Sequence, residues 1–186
     1  MLIAFFSQNK YIIPIARWQA FINKTEISIP YRIDRNPDTT DVERVFINPE
    51  AGTNCELLVH SIVSARGFEL PRLRSSDLYE DTNYTSLVED ISQAQTGDII
   101  GLSPINKNGF RGIHVAMIWI DDSKKIHIVH NARHTGGVRL QTLEDAMQHP
   151  EHARIAWIKR PIRENPTLLQ SEKLRELDFG YLARDL

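Results

Sequence analysis

Cys55 is the single cysteine among 186 residues, so an intramolecular disulfide is impossible and a cysteine-rich zinc site is excluded. The fold must stand on packing alone. There is no run of lysine and arginine, and a formal net charge of −2 gives no global pull towards nucleic acid or anionic membranes. No apolar stretch approaches the length that spans a bilayer, so no membrane span is expected. The segment Met1-Leu2-Ile3-Ala4-Phe5-Phe6 is apolar, but it has no basic leader, is short, and is followed by no small-residue cleavage site. It does not read as a signal peptide. Internal repeats and low-complexity tracts are also absent. What remains is an ordinary globular composition, 41% apolar and 25% charged, which argues against disorder. The length suits one domain with a real core.

Trp18, Phe21 and Ile22 stand near helical spacing and predict a short helix within Ile12 to Lys24. Alternation from Glu26 to Ile33 predicts a strand, and Asp34 to Asn54 reads as loop. A stronger helix signal follows. Thr53 or Asn54 can cap it, Leu58, Val59, Ile62 and Val63 form an apolar stripe on the side of Cys55, and Gly67 ends it. Arg74 to Gln95 reads as loop and then a short helix. Strands are predicted at Asp98 to Leu102, Ile113 to Ile120, Lys125 to Asn131, Val138 to Leu140 and Arg154 to Ile158, with a helix at Thr142 to Gln148. Tight turns between successive strands imply an antiparallel sheet. Helices first and strands afterwards give an α+β class, N-terminal helices packed on a central antiparallel sheet. Residues 1–160 form one expected domain. Residues 161–186 form an extension with a helix at Gln170 to Leu177.

Cys55 sits where a loop delivers a thiol onto the first turn of a helix. The unpaired N–H groups and the dipole of a helix start favour a thiolate there. His114 lies in the apolar run Gly112-Ile113-His114-Val115-Ala116-Met117-Ile118, and His130 in Ile128-Val129-His130-Asn131. One thiol and two strand histidines are the raw material of a nucleophile, its base and a group that orients the base. The plainer readings are an inert buried cysteine and satisfied core histidines. A three-ligand zinc site on Cys55, His114 and His130 is a further alternative. His60 reads as structural or solvent-facing, while His134, His149 and His152 lie in polar surroundings and read as surface.

These segments resemble the NlpC-type cell-wall peptidases, which are papain-like. Asn54-Cys55-Glu56-Leu57-Leu58-Val59 with Gly67-Phe68-Glu69-Leu70-Pro71-Arg72 is similar to their nucleophile helix and its Gly-x-x-Leu-Pro-Arg end. Gly97-Asp98-Ile99-Ile100 is similar to their Gly-Asp-Leu strand, and Gly112 to Met117 to their His-Val-Gly-Ile strand. Ile128 to Ala132, with Gly137-Val138-Arg139-Leu140, resembles the Ile-His-Ala strand and the Val-Arg segment beyond it. The likeness runs from about Tyr31 to Trp157. Asn54 stands where the family has Asp, and Glu56-Leu57 where it has Ser-Gly, which suggests a divergent branch.

The resemblance implies a cysteine hydrolase that cleaves an amide bond through a thioester acyl-enzyme. Peptidoglycan stem peptides, cut as by a γ-D-glutamyl endopeptidase or amidase, are its implied substrates. Cys55 is then the nucleophile with a lowered pKa, His114 the base and later the acid, and His130 the group that orients His114. Asn131 is a poorer orienting candidate because adjacent strand residues point to opposite faces, and His127 is the fallback for a different register. Tyr31 resembles the family's upstream tyrosine and is the candidate substrate-binding residue, and the Cys55 backbone N–H is a candidate oxyanion donor. No metal and no organic cofactor are implied; the partner is a peptide or muropeptide substrate, not nucleic acid. The same triad also suits an acyltransferase, a transglutaminase-like enzyme or a deamidase, and the fold could serve as a binding module without turnover. The expected location is cytoplasmic, or the cell wall by a leaderless export route.

Overall fold

A computed structural model describes residues 31, 32 and 52–165. The helix expected within Ile12 to Lys24, nearly all of the strand at Glu26 to Ile33 and of the loop from Asp34, and the tail helix at Gln170 to Leu177 lie outside the described residues.

Helix α1, Cys55–Ala65, begins where Asn54 stops the extended chain. The Asn54 Oδ1 accepts from the Leu57 N–H at 2.8 Å and so satisfies one orphan donor of the first turn. The helix ends in a Schellman arrangement. Gly67 takes φ +83°, its N–H bonds to Ser64 O at 2.9 Å, and the Phe68 N–H bonds to Val63 O at 3.2 Å. Leu57, Leu58, Val59, Ile62 and Val63 are all buried. Each such side chain contributes roughly 1.5–3 kcal/mol, so tertiary packing holds the helix more than its propensity does.

The segment Arg74 to Gln95 ends in a short 3-10 helix, Ile91–Gln93, but departs from expectation before it. A short helix α2, Ser75–Glu80, comes first, and an edge strand β1, Thr85–Val88, follows. Only Thr85 and Val88 of β1 are buried, so four residues carry no alternation to read. The carbonyls ending α2 are held by Lys159, a buried lysine that donates to Tyr79 O at 3.0 Å and Asp81 O at 2.6 Å.

The remaining elements are β2 (Ile99–Ser103), β3 (His114–Ile120), β4 (Ile126–Ala132), β5 (Gly137–Thr142), α3 (Leu143–Met147) and β6 (Arg154–Pro161). They form a six-stranded sheet of order β1-β6-β2-β3-β4-β5, antiparallel throughout. The class is α+β, as the sequence predicts. Alternation sorts the strands between two cores. Ile99, Val115, Met117, Val129, Val138 and Trp157 pack against α1. Ile100, Leu102, Ala116, Ile118, Ile128 and Ile158 pack with Leu143 and Ala146 of α3 on the other face. No described helix is long and apolar enough to cross a membrane.

The Gly97-Asp98 pair has a structural reason. Gly97 adopts φ +98°, and the Arg66 guanidinium occupies the place a Cβ would take. Asp98, 2% exposed, holds Arg160 by two bonds of 2.8 Å and accepts from the Gln95 N–H at 2.8 Å. The bidentate geometry and the added N–H are what allow a carboxylate at this depth.

One irregularity positions the site. Pairing of β3 with β4 stops at Met117↔Val129. Continued in the same register, Val115 would face Asn131 and His114 would face Ala132. Instead β4 stays with β5 as far as Ala132↔Gly137, and the two strands part. Asn131 turns its amide to Thr53, donating to Thr53 O at 2.9 Å, and so fastens the residues leading into α1 at the opening.

Candidate active site

Cys55 is the first residue of α1, and its sulfur meets three backbone N–H groups, those of Val115, Glu56 and Cys55 itself. The Val115 contact follows from the parted strands. Ile118 exchanges both backbone bonds with the β2 side, through Gly97 and Asp98. Residues of odd number on β3 therefore aim their N–H groups towards β4. At Val115 the β4 partner is withdrawn, and the N–H meets the thiol.

His114, the residue before Val115, joins His130 through its Nε2 and the His130 Nδ1, 2.9 Å apart. The two share one face because they are diagonal neighbours across β3 and β4. His130 is fully buried, and its Nε2 reaches the Gln141 Oε1 at 2.7 Å. These contacts fix the tautomers. An amide oxygen only accepts, so His130 carries its proton on Nε2 and accepts on Nδ1. His114 must then carry its proton on Nε2, which leaves the Nδ1 lone pair as the basic site. Gln141 was not singled out from the sequence, because the predicted strand ended at Leu140, one residue short.

The electrostatics correct one expectation. The thiol of Cys55 is pushed up to about 11, not down: burial is the largest cause, and the Glu56 charge adds to it. The three N–H groups oppose this and do not prevail. Cys55 keeps partial exposure, yet the protein packed around its sulfur leaves an anion poorly hydrated. His114 is held well below the usual histidine range by burial and by the neighbouring histidines, and burial holds His130 at about 4 despite its bond to Gln141. At rest the Cys55 thiol and the His114 imidazole are thus each neutral.

Alkylation by iodoacetamide is the corresponding measurement. At pH 7 Cys55 should label roughly 10²-fold more slowly than free cysteine, because its thiolate fraction is smaller. The rate should climb past about pH 9 before it levels. A plateau at acidic pH would instead reveal a standing thiolate–imidazolium pair.

Tyr31 lies within electrostatic reach of Cys55, Arg133, Glu56 and Glu151, and burial raises its phenol above the ordinary value. Its backbone bridges to Thr53, two residues before the cysteine, and its N–H bonds to Gly136 O at 3.3 Å. His127 lies elsewhere, bonded to Asp121 at 2.9 Å and packed on Trp119. His60 belongs to α1 and is buried, a structural position. The surface assignment of His152 does not hold, since that residue is 2% exposed and stacks on His114 with ring centroids 4.3 Å apart. Histidines 114, 130, 134, 149 and 152 form one continuous cluster.

No model of a known protein family matches the sequence, and no curated protein does. Among solved structures, the fold is similar to NlpC1 from Trichomonas vaginalis, with a TM-score of 0.50 and 18% identity over 79% of this chain and 44% of that one. NlpC2 from the same organism gives 0.50 and 18% over 78% of this chain and 45% of that one. This chain therefore spans less than half of either protein. At such identity the likeness is one of fold: the α+β architecture, a helix start set against an antiparallel sheet, is that of the NlpC structures.

Proposed function

We propose that this chain is a divergent NlpC-type thiol hydrolase that cleaves amide bonds through Cys55, His114 and His130. The observation that carries the reading is the relay from Gln141 through His130 to His114, lying one residue from the backbone N–H that meets the Cys55 sulfur. Because the resting pair is neutral, Cys55 works as a serine nucleophile does. Its proton passes to the His114 Nδ1 as the sulfur–carbon bond forms. The N–H groups around the sulfur are placed to stabilise the oxyanion of the tetrahedral intermediate. That intermediate collapses as His114 returns its proton to the departing amine, leaving a thioester. Water then attacks the thioester, with His114 as base, and releases the acid and the free thiol. His130 and Gln141 hold the tautomer that starts the cycle, and the nearness of Tyr31 to Cys55 supports a role for it in binding the substrate. The fold likeness and the Gly-x-x-Leu-Pro-Arg segment favour peptidoglycan stem peptides as the substrate class.

A second reading, a binding module of the same fold without turnover, is favoured by the raised pKa of Cys55. Mass spectrometry of purified muropeptides after incubation with wild type or Cys55→Ala separates the two. The expected result is a cleaved stem peptide with wild type alone. Intact muropeptides with both proteins would remove the peptidoglycan assignment, and the same null result across amide-bearing peptides would favour the binding module.

A further inference from the structure

His149 and His152 bracket a short 3-10 turn, Pro150–His152, in which residues three apart come to one side. The turn joining β4 to β5 brings His134 against them. The His134 and His149 rings stack with centroids 3.8 Å apart at 7°, and the His134 and His152 centroids are 5.0 Å apart. One ring nitrogen of each histidine lies within 4.8 Å of those of the other two. His152 is 2% exposed, and its Nδ1 has no hydrogen-bond partner. An unsatisfied buried polar atom costs about 1–3 kcal/mol, and a neutral imidazole nitrogen is a good transition-metal ligand. We propose that His134, His149 and His152 form a binding site for a divalent transition-metal ion of the zinc type, with a fourth position left to water.

The geometry asks for little movement. Tetrahedral zinc with nitrogen ligands at about 2.0–2.1 Å places those nitrogens roughly 3.4 Å apart, so the rings must close by about an ångström. His134 stands on an exposed turn that can supply the shift. The His149 Nδ1 accepts a weak bond from the Glu151 N–H at 3.3 Å, and coordination through either nitrogen displaces it. A second triplet, His114, His130 and His152, is equally close. It is the poorer site, because both His130 nitrogens are already bonded, to His114 and to Gln141.

Occupancy has a consequence that rests on the proposed catalytic reading. His152 stacks on His114 at 4.3 Å and 18°. An ion bound to His152 sets positive charge beside the ring that must become imidazolium, so zinc should inhibit turnover.

The test is calorimetric titration of the chelator-treated full chain with Zn²⁺, and with Co²⁺ as a visible-absorption probe. One ion per chain is expected, in the micromolar range or tighter. His134→Ala and His149→Ala should each weaken binding at least about tenfold, as loss of a direct ligand must exceed typical outer-shell effects. Both variants should melt as wild type does without metal, and His114→Ala should bind zinc as wild type does. No uptake at submillimolar zinc overturns the site, as does uptake indifferent to both substitutions or lost in His114→Ala. Zinc uptake of the expected pattern in a protein that hydrolyses no amide leaves the metal site standing and removes only the inhibitory consequence.

Discussion

His114→Ala should lower amide hydrolysis by roughly 10³-fold or more, the usual worth of a positioned acid–base. The reason is the neutral resting pair. With the Cys55 thiol at about 11, almost no thiolate exists at neutral pH, so there is no standing nucleophile to work without the base. An enzyme with a preformed thiolate would lose its proton donor; the mechanism proposed here would lose activation of the sulfur as well. His130→Ala should cost less, roughly 10–10²-fold, because His114 survives and only its tautomer and orientation are lost. The double variant should fall little below His114→Ala alone, since the two act as a unit. Steady-state kinetics on a confirmed substrate, with circular dichroism as a check on folding, gives the answer. Wild-type kcat in His114→Ala would remove His114 from the chemistry altogether.

The second large effect is on stability. Unfolded histidine titrates near pH 6.5, whereas burial holds His130 at about 4 and His152 at about 3 in the folded protein. Between those limits the unfolded chain binds more protons than the folded one. Stability is therefore intact above about pH 6.5, falls as the pH drops below it, and levels only near pH 3. For the two rings together the loss is on the order of 5 kcal/mol at about pH 4, comparable to the whole stability of a small domain. His114, also held low, adds to the loss in the same direction. Urea unfolding followed between neutral and mildly acidic pH should show the midpoint collapsing. His152→Phe, which keeps a ring but cannot titrate, should flatten the pH dependence. An unchanged midpoint in wild type would mean that these rings are hydrated, not buried.

The sequence made the elements around the site legible because their signals are local. Asn54 and Gly67 mark the ends of α1, apolar runs mark β3 and β4, and the turn from Asp121 to Lys124 marks them as a hairpin. The Gly97-Asp98 pair stood out too, and its reason is the accommodation of Arg66 and Arg160. What stayed hidden depends on contacts between distant segments. Strand β1 is too short to carry a pattern and exists because β6 pairs with it. Gln141 fell one residue beyond the predicted strand, and only the register with β4 sets it diagonal to His130. His149 and His152 looked like surface residues in a polar stretch, and only the fold of the chain brings His152 into the buried histidine cluster. The direction of the Cys55 shift was misjudged for a physical reason. A helix start does favour an anion, but the field of a few N–H groups is weaker here than the loss of water.

In the proposed mechanism, the early separation of β3 from β4 ties catalytic competence to an incomplete sheet. Three residue pairs are left unmade where the sulfur takes the place of a neighbouring strand, and the Asn131 clasp on Thr53 keeps the gap from zipping shut. Substitutions that make this end of the sheet more regular should therefore yield a tighter hairpin with a displaced nucleophile, a molecule more robust to denaturant and chemically mute.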